Sequence, residues 1–208
     1  MVGTREDLLY QHVIETLDTD LGEWPGGYPD AIELALIDAI YSVRARYGDR
    51  ERKTGVVGVV YRWRTWRAGS TDDLSVLATT SASDLRSVVS NNGRLARRYK
   101  AEVVVDAARA LLDMDVKTAA DFRAAPEGLR SAYLSVKGCG PVTWRYLRML
   151  LGQSDIKPDT WVMKFVREAV PAVGDSDAAA ALLTGVADRL RVDTRELDHA
   201  IWNYQRTR

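Results

Sequence analysis

Gly138-Cys139-Gly140-Pro141 separates two helix-length apolar segments, Leu129–Val136 and Val142–Leu151, and it constrains this chain more than any other stretch. Two glycines one residue apart allow a turn that residues with a Cβ would block. Pro141 suits the first turn of the second helix, where its missing N–H has no intrahelical acceptor to lose. The pattern predicts helix, tight turn, helix. With no side chains on Gly138 and Gly140, backbone N–H groups can approach a phosphate oxygen, and the following helix adds the positive end of its dipole. Lys137 and Arg145 can add charge there. The same pattern also serves as a plain helix–helix connection.

The rest of the chain reads as helices joined by short loops. Asp30 is placed to cap a helix running through Tyr47, with Leu36, Ile37, Ile40 and Tyr41 on one stripe. Lys100–Leu112 and Ala178–Leu190 have helical spacing, and Asp193-Thr194-Arg195-Glu196 resembles a capping box before a final helix. Val56–Tyr61 is β-branched enough for a strand. It would lack a pairing partner, so it is read as a buried helix. The breakers are Trp24-Pro25-Gly26-Gly27, Ala68-Gly69-Ser70, Asn91-Asn92-Gly93, Ala125-Pro126-Glu127-Gly128 and Pro171-Ala172-Val173-Gly174. No internal repeat or low-complexity tract is visible. The expected class is all-α.

Charge excludes some functions. With 29 basic and 29 acidic residues the net charge is zero, so the chain is no simple polycation. The charges are segmented, however. Residues 1–38 hold nine acids and the single base Arg5, whereas 42–67 carry eight bases against Asp49 and Glu51. Residues 86–100 contain Arg86, Arg94, Arg97, Arg98 and Lys100 with no acid, and 128–154 contain Arg130, Lys137, Arg145 and Arg148 with no acid. Such segments can gather on one face toward phosphates or lie on solvated helix faces.

No apolar run is long enough to span a membrane, and the polar N-terminal stretch does not read as a signal peptide. Cys139 is the only cysteine, which excludes an internal disulfide and a cysteine-ligated zinc or iron–sulfur site within one chain. A reducing, cytoplasmic location is expected. His12 and His199 lack metal-ligand spacing and are read as surface or packing residues. No metal site built from side chains is expected.

Asp159 stands 19 residues after Gly140, in Pro158-Asp159-Thr160-Trp161-Val162. A carboxylate near a sugar stabilises positive charge developing there and can orient a water for attack. A helix beginning at Thr160 would favour its ionised form. Asp before a helix is also a common N-cap, and one residue can do both.

Together these residues resemble the helix-hairpin-helix DNA glycosylases, the superfamily of endonuclease III and 3-methyladenine glycosylase. The likeness is most specific over 134–166 and weaker over 30–170, through Leu36–Ser42 and Arg98-Tyr99-Lys100-Ala101. It implies a two-lobed fold, with a central lobe at 30–170 carrying the hairpin at about 129–151 and a second lobe from 1–29 plus 171–208. It implies a DNA N-glycosylase, a hydrolase of base excision repair that flips a damaged or modified base from double-stranded DNA. The protein would be a monomer, associated with the nucleoid when bound.

The resemblance also distributes roles. Asp159 is the catalytic carboxylate. Lys137, Gly138, Cys139, Gly140, Val142, Thr143 and Arg145 bind DNA, with Arg44 at the gap-filling position. Trp144, Trp161 and Tyr41 line the base pocket, Trp144 replacing a small residue and Trp161 a histidine. Val142 occupies the place of the nucleophilic lysine in strand-cutting members, so lyase activity is not expected. The missing cysteines separate the chain from the iron–sulfur branch. No cofactor is expected beyond a monovalent cation on the hairpin backbone around Val136–Gly140. The alternative is a noncatalytic helix-hairpin-helix protein that binds duplex DNA.

Overall fold

In the computed structural model of the protein, which describes residues 3–18, 20–24, 26–124 and 127–208, about 61% of the chain is helical. The protein is all-α. In chain order its helices are α1 (Arg5–Thr16), α2 (Ile32–Tyr41), α3 (Gly55–Arg67), α4 (Leu74–Thr79) and α5 (Ala82–Val89). A short antiparallel hairpin follows, β1 (Arg94–Leu95) with β2 (Arg98–Tyr99). Then come α6 (Lys100–Leu112), α7 (Ala119–Ala124), α8 (Leu129–Ser135), α9 (Pro141–Leu150), α10 (Thr160–Ala169), α11 (Ser176–Leu190) and α12 (Thr194–Thr207). Among the described residues no helix is long and apolar enough to cross a membrane. Pro25 and the Ala125-Pro126 pair, read as breakers, lie outside the described residues.

The chain divides into two units, Gly27–Gln153 and the pair of segments Met1–Gly26 with Ser154–Arg208. The sequence reading drew the boundaries at 30 and 170. Packing assigns 154–170 to the unit made from both chain ends, because Val162, Phe165 and Val166 of α10 share a core with Leu9 and Val13 of α1 and Leu197 and Ile201 of α12. Asp159, Asp175 and Asp193 cap the three C-terminal helices of this unit by accepting backbone N–H groups.

The central unit is organised around α2. Every residue of this helix is buried, the acids Glu33 and Asp38 included. Its one acid near the start, Glu33, is satisfied by the Trp63 indole at 2.8 Å and by a two-point pair with Arg67 at 2.8 and 3.0 Å. These bonds fasten α3 to α2, and α3 includes the Val56–Tyr61 segment read as helical.

The helix expected from Asp30 to Tyr47 is shorter at both ends. Asp30 pairs with Arg123 at 3.2 Å, and the first N–H of α2, from Ile32, is taken by Asp72 at 3.1 Å. At the other end, the buried Lys100 amine donates to the carbonyls of Tyr41 (2.8 Å) and Val43 (2.6 Å), and Arg44 turns left-handed at φ +50°. Tertiary bonds, invisible to local periodicity, close the helix.

Candidate functional site

Helix α8 stops at Ser135 and α9 starts at Pro141, as the spacing predicts. Between them the Cys139 N–H donates to Val136 O at 2.9 Å, closing the turn. Gly138 has φ +113°, a conformation open to glycine, and a Cβ there would lie 2.9 Å from Val103. Gly140 differs from the sequence expectation. Its backbone is extended (φ −156°, ψ 174°), and nothing lies within 4 Å of where a Cβ would stand. The fold therefore has no need of glycine at 140. What glycine provides there is open space beside the backbone.

Pro141 occupies the first turn of α9, so the N–H groups of Val142 and Thr143 are the first that this helix offers outward. The buried Thr143 hydroxyl accepts from Gly140 N–H and donates to Gly140 O, both at 2.9 Å. Its side chain braces the turn, and its backbone N–H lies in the first turn of α9. Lys137 is exposed, whereas Arg145 is half-buried and already engaged within the fold. Burial pushes the Cys139 thiol up to about 11, so Cys139 contributes backbone and not a reactive thiolate.

The carbonyls of Val136, Lys137 and Gly140 already accept from Cys139 N–H, the Arg98 guanidinium (3.5 Å) and Trp144 N–H (2.9 Å). Each of these carbonyl oxygens keeps a second lone pair. Among the described residues no cluster of His, Cys, Asp or Glu side chains is suited to holding a metal ion.

Two expected base-pocket residues belong to the core of the central unit. Trp144 is 8% exposed, with its ring between Phe122 (5.2 Å) and Tyr133 (5.4 Å). Tyr41 is 1% exposed, and burial raises its hydroxyl well above the ordinary range. Neither has a free face for a base within that unit. Arg44 is exposed, on the left-handed residue that follows α2.

In the unit built from both chain ends, Asp159 is half-buried at the start of α10. Its Oδ1 accepts from Trp161 N–H at 2.8 Å and from Val162 N–H at 3.2 Å, leaving Oδ2 for another partner. Trp161 is 39% exposed, so of the three expected pocket rings this one presents a face.

Sequence reasoning missed the neighbouring Asp198 on α12. It is buried and accepts from Lys157 N–H at 2.7 Å. Burial pushes its carboxyl up to about 8, the charges of Asp159 and Asp155 add to the rise, and the Lys157 hydrogen bond and charge oppose it. No local signal betrays such a residue, because an Asp within a helix reads as solvated until its neighbours are known. His199 is half-buried against Trp202 (6.0 Å, stacked) and Trp24 (5.8 Å), and His12 packs on Phe165 at 4.5 Å.

The β1–β2 hairpin lies within the acid-free run 86–100 and has no strand signal in the sequence. Leu95 and Val103 wall the Gly138 backbone, so this hairpin adjoins the glycine turn.

The chain belongs to the family described as a domain of unknown function (DUF8548), whose model matches residues 8–206. No curated protein matches the chain.

Proposed function

We propose that this DUF8548 member is a monofunctional DNA glycosylase of the helix-hairpin-helix type, with that superfamily's two-lobed fold. It would hydrolyse the N-glycosidic bond of a damaged or modified base in duplex DNA, acting as a monomer in base excision repair. The observation that carries the reading is the glycine turn. Gly138 is demanded by backbone conformation and close packing, whereas Gly140 is demanded by neither and leaves the start of α9 open to an approaching phosphate. Lys137 adds an exposed charge beside it. Contacts of this kind position a duplex without reading its sequence.

Asp159 supports the chemical half of the reading. Its capping bonds occupy Oδ1 and hold the carboxylate, and they leave Oδ2 without a capping partner. In the proposed reaction the bond from C1′ to the base nitrogen breaks with its electron pair leaving on the base. Oδ2 stabilises the positive charge left on the sugar and takes a proton from the attacking water. The base is protonated from solvent. Asp198, held neutral by burial at neutral pH, adds no second negative charge near Asp159. Val142 has no nucleophile to offer, so the product is an abasic site on an uncut strand.

The burial of Trp144 and Tyr41 favours a second reading, a duplex-binding protein without catalysis. Base release from duplexes carrying alkylated, deaminated, oxidised or mismatched bases separates the two. Asp159→Asn keeps a good N-cap but not the charge. The glycosylase reading expects release to fall by about 100-fold or more in this variant, with melting and duplex binding little changed. Binding without release of any base would establish the second reading, and equal release by both proteins would remove Asp159 from the mechanism.

A further inference from the structure

The two-residue turn between β1 and β2 is made of Ala96 (φ +52°) and Arg97 (φ +68°). Both central residues are left-handed, the arrangement in which Asn-Gly is strongly preferred. A β-carbon-bearing residue in that region is strained. The chain carries an arginine where glycine would be easier, and it presents this side chain to solvent at the tip.

The charges around the tip are fixed in place without being neutralised. The Arg86 and Arg94 guanidiniums lie 3.7 and 4.4 Å from the centre of the Tyr99 ring. Arg94 donates to the Tyr99 hydroxyl at 3.0 Å, and Arg86 donates to Asn92 Oδ1 at 3.1 and 2.9 Å. Two cations on one ring repel each other, and an anion would relieve that repulsion. The acids nearby are used lower down. Glu102 accepts from Tyr99 N–H at 2.6 Å and Asp106 pairs with Arg98 at 2.5 Å. Among the described residues, Arg86, Arg94 and Arg97 have no carboxylate partner. The base of the hairpin is balanced and its tip is positive.

The hairpin is fastened to the glycine turn. Leu95 and Val103 pack where a Gly138 Cβ would go, and Arg98 reaches Lys137 O at 3.5 Å. The exposed Lys137 thus stands beside a second set of cations with the planar fork geometry suited to phosphate.

We propose that the β1–β2 hairpin is a second grip on the phosphate backbone of duplex DNA, made by Arg94 and Arg97 beside the grip of the Gly138–Gly140 turn. The proposal rests on the DNA-directed reading above and extends it, since the duplex is held at two points of one unit.

The test is binding of the full chain to a short fluorescent DNA duplex across about 50–200 mM salt, with an RNA duplex in parallel. Arg94→Ala combined with Arg97→Ala should weaken DNA binding about ten-fold, equally for unrelated sequences, and reduce the slope of log affinity against log salt by nearly 2. Arg97→Gly separates binding from folding. It removes the charge and the strain together, so the melting temperature should rise by about 2–4 °C while DNA affinity falls. An arginine with a merely structural role would not move both readouts that way.

If the hairpin variants bind DNA with unchanged affinity and slope while Lys137→Ala weakens binding, the hairpin proposal is overturned and the DNA reading stands. If the unaltered protein binds no duplex even at low salt, both fall. A preference for the RNA duplex overturns the choice of DNA.

Discussion

Gly138 and Gly140 look equivalent in the sequence, yet the structure asks different things of them. Gly138 sits at φ +113° against Val103, so Gly138→Ala should lose about 2–4 kcal/mol in a denaturant melt, combining a forbidden backbone conformation with overpacking. Gly140 is extended with open space around it, and Gly140→Ala should change stability by less than about 0.5 kcal/mol. The methyl group should show instead as weaker duplex binding. A Gly140→Ala protein that folds and binds like the parent would leave the second glycine without a role. The identity of both residues was legible in the sequence, but this division of labour was not. Backbone angles and the position of Val103 come from tertiary packing.

At the scale of elements, the loop entering α10 is tied to α12 by the Lys157 N–H bond to Asp198. The Asp198 carboxyl titrates near 8 in the folded protein and near 3.8 in an ordinary environment, so between those values the folded state binds the extra proton. Stability from this group is complete below about 3.8 and is lost as pH rises toward 8. Asp198→Asn keeps an acceptor for Lys157 and cannot ionise. Its melting temperature should therefore vary less between pH 5 and 8 and exceed that of the parent at the upper end; parallel curves would exclude the assignment.

Helices such as α6 and α11 were legible because their apolar residues recur at helical spacing. The overrun of α2 to Tyr47 was not avoidable, since Lys100, distant in sequence, closes that helix. The β1–β2 hairpin escaped because Ala96-Arg97 is not a turn signal. The burial of Trp144 and Tyr41 was not legible, because an aromatic residue suits a core and a pocket equally well.

At the scale of the molecule, the N-terminal segment is part of a core. Leu9 and Val13 are buried with residues of α10, α11 and α12, and Asp7 pairs with Arg189 at 2.9 Å. Leu9→Ala should lose about 2–5 kcal/mol, whereas Leu8→Ala, at a site 46% exposed, should change stability by less than about 0.5 kcal/mol. Denaturant melts of the two variants check this directly. Equal losses would mean that α1 is not seated as described.

The interleaving of the chain ends also fixes an order of events on the ribosome. Residues 27–153 hold all the strands and helices of their unit, so that unit can condense while the remainder is still being translated. Helix α1 is translated before that unit and docks after it, because the three helices that share its core follow residue 153. Until then its apolar stripe is a nascent surface for a chaperone to hold.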